Sequence, residues 1–126
     1  MKEALVLVAH ADDESLGAGG LIQKLVKTNW NVSIVILSDG ILTVRGKVQN
    51  NNDDARKACK ILGVKEPKFL GYKDQKFDTY PIADMANSVI TFTEFVAANC
   101  LINCRAGMIK FFAVIQTTKS NICNFF

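Results

Sequence analysis

The run His10-Ala11-Asp12-Asp13-Glu14 concentrates the chemistry of this chain. It sets the single histidine of the sequence directly before three carboxylates. Zinc accepts imidazole nitrogen and carboxylate oxygen, and a catalytic zinc site keeps one position open for water. His10 and Asp13, three residues apart in a tight turn, can both point at one ion. Asp12 points elsewhere in the same turn and can reach a water on that ion without ligating it. A divalent metal lowers the pKa of its water toward about 7, and a neighbouring carboxylate takes the proton during attack on a carbonyl. The chemistry so encoded is metal-assisted hydrolysis of an amide or ester. The same residues also fit a solvated cluster at a helix N-terminus, where carboxylates are favoured, with a structural histidine.

The turn needs rigid elements on both sides. Ala4 to Ala9 is a short, continuous apolar run, which suits a strand buried on both faces of a parallel sheet. After Gly20, Leu21, Ile22, Leu25 and Val26 recur at helical spacing, so a helix runs to about Thr28-Asn29. Asn31 to Leu37 is apolar and β-branched, a second buried strand ended by Ser38-Asp39-Gly40. Strand, turn, helix and strand in this order form a βαβ unit with parallel strands. Ile41 to Asn52 reads as a loop. A second helix follows, capped by Asn52 or Asp53, with Ala55, Ala58, Cys59 and Leu62 on its apolar face and Gly63 at its end. Phe69-Leu70 is a third strand, Gly71 to Pro81 a loop, Ile82 to about Asn99 a third helix and Met108 to Thr117 a fourth strand.

This pattern predicts an α/β fold: a doubly wound, Rossmann-like, mostly parallel sheet in three α/β/α layers, forming one domain over residues 1–126. Ligands of such sheets bind beyond the carboxyl ends of the strands. The acidic turn, the Ser38-Asp39-Gly40 turn and the Gly71-to-Pro81 loop all fall on that edge and should converge. The tail from about residue 91 is different in character, with few charges and three of the four cysteines.

Composition excludes several classes. The chain has 126 residues, 49% hydrophobic and 21% charged, as in ordinary globular domains. The net charge of +3 comes from dispersed lysines and predicts no nucleic-acid partner. No apolar run approaches the roughly 20 residues of a membrane span. Met1-Lys2-Glu3 leads into too short an apolar stretch for a secretory signal, so the expected setting is cytoplasmic. Cys100 and Cys104 share a helix face and could form a metal pair, but reduced, partly buried thiols are the plainer reading. Gly17-Ala18-Gly19-Gly20 opens a helix where a phosphate could rest. Its register does not match a dinucleotide fingerprint, and the adjacent acids repel phosphate, so no nucleotide cofactor is expected.

The motif Val8-Ala9-His10-Ala11-Asp12-Asp13-Glu14-Ser15-Leu16-Gly17-Ala18-Gly19-Gly20 resembles the signature of the LmbE-like, or PIG-L, de-N-acetylases. Ile36-Leu37-Ser38-Asp39-Gly40, the helix Ala55 to Val64 and Phe69-Leu70-Gly71-Tyr72-Lys73-Asp74 continue the likeness in order, over roughly residues 4–85. The resemblance implies a Rossmann-like fold and zinc-dependent removal of acetyl from an N-acetylated sugar conjugate such as an N-acetylglucosamine derivative. It implies Zn2+ or another divalent metal on His10 and Asp13, with Asp12 as general base. Arg45, after Asp39-Gly40, becomes a candidate substrate contact. A homo-oligomer is compatible with this reading.

The chain also departs from the pattern. Ala11 stands where the family has proline, and Asn51 and Asp54 where arginine and glutamate are common. The family takes a third zinc ligand and an oxyanion-stabilising histidine from a segment after the fourth strand; here no histidine follows His10. Val114 to Thr118 has the character of the strand end where that segment would begin. The departures predict a chain weak or inactive alone, its tail truncated, frameshifted or divergent. The alternative is a non-catalytic relative that keeps a sugar- or metal-binding pocket.

Overall fold

A computed structural model describes residues 2–93 and a strand at 112–117. Its centre is a pair of parallel strands, β1 (Lys2–Val8) and β2 (Trp30–Ser38), in register from Lys2 opposite Trp30 to Val8 opposite Ile36. Both are continuous apolar runs because both of their faces are covered. One face carries Ala4, Val6, Val8, Val32, Ile34 and Ile36. Against it pack Ile22 and Leu25 of α2 (Gly19–Lys27) and Ala55 and Cys59 of α3 (Asn52–Leu62). The short helix α1 (Asp13–Leu16) precedes α2. The alternate residues Leu5, Leu7, Val35 and Leu37 face the other way and meet Val89 and Met85 of α4 (Ile82–Thr93). The period-two alternation of the strands thus separates two cores, one on each face, and gives the three layers expected.

The strand β5 (Lys68–Tyr72) lies parallel to β2 on its outer side, so the order β5-β2-β1 is that of a Rossmann-like half-sheet. The helix α3 ends at Gly63 in the left-handed region, with φ 77°, as expected of a C-terminal glycine. Its N-cap is Asn51, one residue before the expected Asn52 or Asp53.

Two expectations are corrected. Residues 41–52 do not form a plain loop. Ile41–Val44 and Lys47–Asn50 make an antiparallel hairpin, β3 and β4, separate from the main sheet. Its turn residues Arg45 and Gly46 both have positive φ, 50° and 75°, as a type I′ turn requires. The fourth main-sheet strand is β6 (Phe112–Thr117), which pairs with β1 antiparallel, Phe112 opposite Val8 and Thr117 opposite Glu3. Its carboxyl end therefore lies at the sheet edge away from His10. Antiparallel edge strands are common on otherwise parallel sheets. The remainder of the tail, with Cys100, Cys104 and Cys123, and the expected end of the third helix at Asn99 lie outside the described residues.

Candidate active site

Each strand of the parallel half-sheet delivers one loop to the same cleft. From β1 come His10, Ala11, Asp12 and Asp13; from β2, Gly40; from β5, Asp74 and Gln75. Leu42 of the hairpin and Asn51 at the start of α3 close the remaining side. The convergence expected from topology is realised, and the hairpin adds a wall that the loop reading lacked.

The first loop is a hydrogen-bonded turn. The amides of Asp12 and Asp13 both donate to the His10 carbonyl, at 3.1 and 3.3 Å. The His10 amide donates back to Asp13 Oδ2 at 3.1 Å, and the same oxygen lies 3.3 Å from His10 Nδ1. Asp13 is buried and Asp12 exposed. The two adjacent carboxylates are therefore sorted by environment: one held against the imidazole, the other facing solvent in the cleft. The Asp12 side chain makes no capping bond to α1, although Asp12 occupies the N-cap position.

His10 is held on its far side as well. Its Nε2 lies 3.3 Å from Asp74 Oδ1, and its ring leans on Phe77 with centroids 5.5 Å apart. A carboxylate that accepts from one imidazole nitrogen fixes the tautomer and leaves the lone pair of the other nitrogen available, the usual support of a metal-ligating histidine. Burial pushes the Asp74 carboxyl above its ordinary value, against the opposing pull of His10 and the Gln75 amide. Motif reading did not single out Asp74 as a site residue. The signal was its place two residues past β5, on the ligand-binding edge.

The His10–Asp13 pair can be tested against a divalent ion. Ligands at about 2.1 Å in tetrahedral geometry stand about 3.4 Å from each other. The 3.3 Å between Nδ1 and Oδ2 suits two neighbours in such a shell. A carboxylate oxygen and an imidazole nitrogen this close require positive charge between them, either a proton or a cation. Asp74 cannot join the same shell through this ring, because it meets the opposite nitrogen. Among the described residues no group of three histidine, cysteine, aspartate or glutamate side chains converges on one point.

Arg45 is exposed in the hairpin turn and does not line the cleft. Asn51 at the start of α3 does line it.

The family profile described as PIG-L, GlcNAc-PI de-N-acetylase, matches residues 5–105. The chain belongs to the PIG-L family. Among curated proteins, a diacetylchitobiose deacetylase of Thermococcus kodakarensis is 31% identical to it over 59% of this chain. The aligned part spans only 30% of that relative's own length. No solved structure gives a significant match. Among the described residues no helix is long and apolar enough to cross a membrane.

Glu14, the last acid of the PIG-L motif here, turns away from the solvent. It is 1% exposed, and its Oε2 has no hydrogen-bond partner among the described residues, while Ser15 Oγ donates to Oε1 at 2.9 Å. Burial, chiefly, pushes its carboxyl above the ordinary 4.5; the Asp12 and Asp13 charges add to the rise. A raised folded-state pKa means that stability is greatest below the unfolded value and is lost as pH rises through the folded one. Glu14→Gln removes this charge. In metal-free protein the variant should melt with the parent at pH 4 and above it at pH 7. Circular-dichroism melts check this; a parent more stable than the variant at pH 7 would contradict it.

Proposed function

We propose that this chain is a metal-dependent hydrolase that removes acetyl from an N-acetylated amino sugar. The observation that carries the reading is the sorted acid pair: Asp13 buried on His10, Asp12 free in the cleft beside them. In this reading His10 and Asp13 are two of the donors to a zinc or similar divalent ion. That ion, when bound, supplies Lewis-acid polarisation of a carbonyl and acidification of water.

The chain's own residues do the rest. Asp74 holds Nε2 of His10 and so fixes the ring that presents Nδ1. Asp12 accepts the proton released as water adds to the acetyl carbonyl, and returns it to the departing amine. Leu42 and the Gly40 backbone shape the opposite wall and restrict water. Arg45, from its hairpin tip, remains a candidate contact for the outer part of a longer substrate. We assign the reaction to the cytoplasm, where a buried thiol such as Cys59, pushed up to about 11 by burial, stays reduced.

The experiment is acetate release from N,N′-diacetylchitobiose with added zinc. Turnover, lost on chelation, is the expected result. The Thermococcus relative, named a diacetylchitobiose deacetylase, makes this the first substrate to try. One observation favours a second reading, a non-catalytic relative with a sugar- or metal-binding pocket: no histidine follows His10 to complete the shell or meet the oxyanion. Losing one oxyanion donor alone costs about 10²–10³ in rate. Zinc binding without acetate release selects that second reading.

A further inference from the structure

We propose that one face of the hairpin β3–β4 is a ledge that binds the sugar residue next to the reacting one and so sets the substrate length the site prefers; this rests on the sugar N-deacetylase reading above. Successive residues of a strand face opposite ways, and residues directly opposite in an antiparallel pair share a face. Leu42 pairs with Gln49 and Val44 with Lys47, so these four stand on one face. Thr43 and Val48 pair on the other. Leu42 is half-buried and lines the cleft. The face that begins in the cleft at Leu42 therefore runs outward past Gln49 to Val44 and Lys47, and these three side chains are exposed.

The ledge is anchored where it meets the cleft. The Ile41 amide donates to Asp39 Oδ1 at 3.0 Å, and the Asn51 amide donates to the Gly40 carbonyl at 2.9 Å. Both strands are thus tied to the turn that follows β2. At the outer end Arg45 and Gly46 close the tight turn. A surface fixed at both ends binds with little loss of conformational freedom.

Its chemistry is suited to a sugar ring. Val44, 41% exposed, offers an aliphatic surface to the C–H face of a ring. The Gln49 carboxamide both donates and accepts, as hydroxyl groups require. The Lys47 ammonium donates to a hydroxyl or to an acetamido carbonyl. Length limits the ledge. From Leu42 to Val44 is two steps of strand, about 7 Å at about 3.4 Å each. That is room for one further ring and not for two.

The test uses the full chain with zinc in the Asp12→Asn background, which holds sugars without rapid turnover. NMR titration gives its affinities for methyl N-acetylglucosaminide, N,N′-diacetylchitobiose and N,N′,N″-triacetylchitotriose. The disaccharide should bind about tenfold more tightly than the single ring, as one or two added contacts supply. The trisaccharide should bind no more tightly than the disaccharide. Gln49→Ala and Val44→Ser should each erode the advantage of the second ring and leave the affinity of the single ring unchanged. Val48→Ser, on the opposite face, should change neither. Equal affinities for one ring and two, a further gain at three, or equal losses from Val48→Ser and Val44→Ser would overturn the ledge and leave the deacetylase reading standing. Binding of none of the three sugars overturns both.

Discussion

Asp12→Asn should lower acetate release by at least about 100-fold while leaving zinc binding and melting temperature unchanged. The size follows from the role, since a positioned general base contributes about 10²–10⁴ in rate. The selectivity follows from the geometry. Asp12 is exposed, makes no side-chain cap to α1, and contributes to the turn through its backbone, whose carbonyl accepts from the amides of Ser15 and Leu16. Asparagine keeps that backbone and the side-chain shape but cannot take a proton. Acetate kinetics, calorimetry with zinc and a thermal melt separate the possibilities. A parallel loss of zinc binding would make Asp12 a ligand, and unchanged turnover would remove it from the chemistry.

Gly40→Ala should destabilise the chain by about 2–3 kcal/mol and weaken sugar binding with it. Gly40 has φ 68°, where a side chain costs about 1 kcal/mol or more. Its Cβ would also overlap the Asn52 carboxamide. That carboxamide cannot easily yield, because its Nδ2 donates to the Asp39 carbonyl at 2.9 Å, and losing the bond adds about 1 kcal/mol. The turn is tied further by Ser38 Oγ, which accepts from the Gly40 amide, and by the Asn51 amide, which donates to the Gly40 carbonyl. Disturbing it moves the wall of the cleft. The double variant Gly40→Ala with Asn52→Ala removes the overlap, so denaturant melts should show less than the sum of the two single effects. Full additivity would place the strain elsewhere.

The site was legible where local chemistry and strand direction decide it. His10, Asp12 and Asp13 follow from residue types in a turn after a buried strand, and the meeting of three loops follows from parallel β1, β2 and β5. Direction is what an apolar segment does not encode. Phe112 to Thr117 reads as a strand either way, and the antiparallel pairing with β1 reverses the edge at which it ends. The hairpin was missed for a different reason. Its side chains are mostly exposed, so the hydrophobic contrast that marks a buried strand is absent. The available signal was turn chemistry: Arg45-Gly46 between two runs containing β-branched residues. Asp74 closes the family-like stretch Phe69 to Asp74 and Gln75 follows it, but nothing in their residue types marks them as site residues, and their place in the cleft emerges only once β5 lies beside β2.

In the proposed function, His10 and Asp13 form one side of a divalent-metal site. Calorimetric titration of the metal-free chain with zinc, beside the same titration of His10→Ala, tests it most directly. The predicted result is one zinc per chain, lost in His10→Ala while the variant stays folded. Undiminished zinc binding by folded His10→Ala, or no binding by the parent chain, would contradict it.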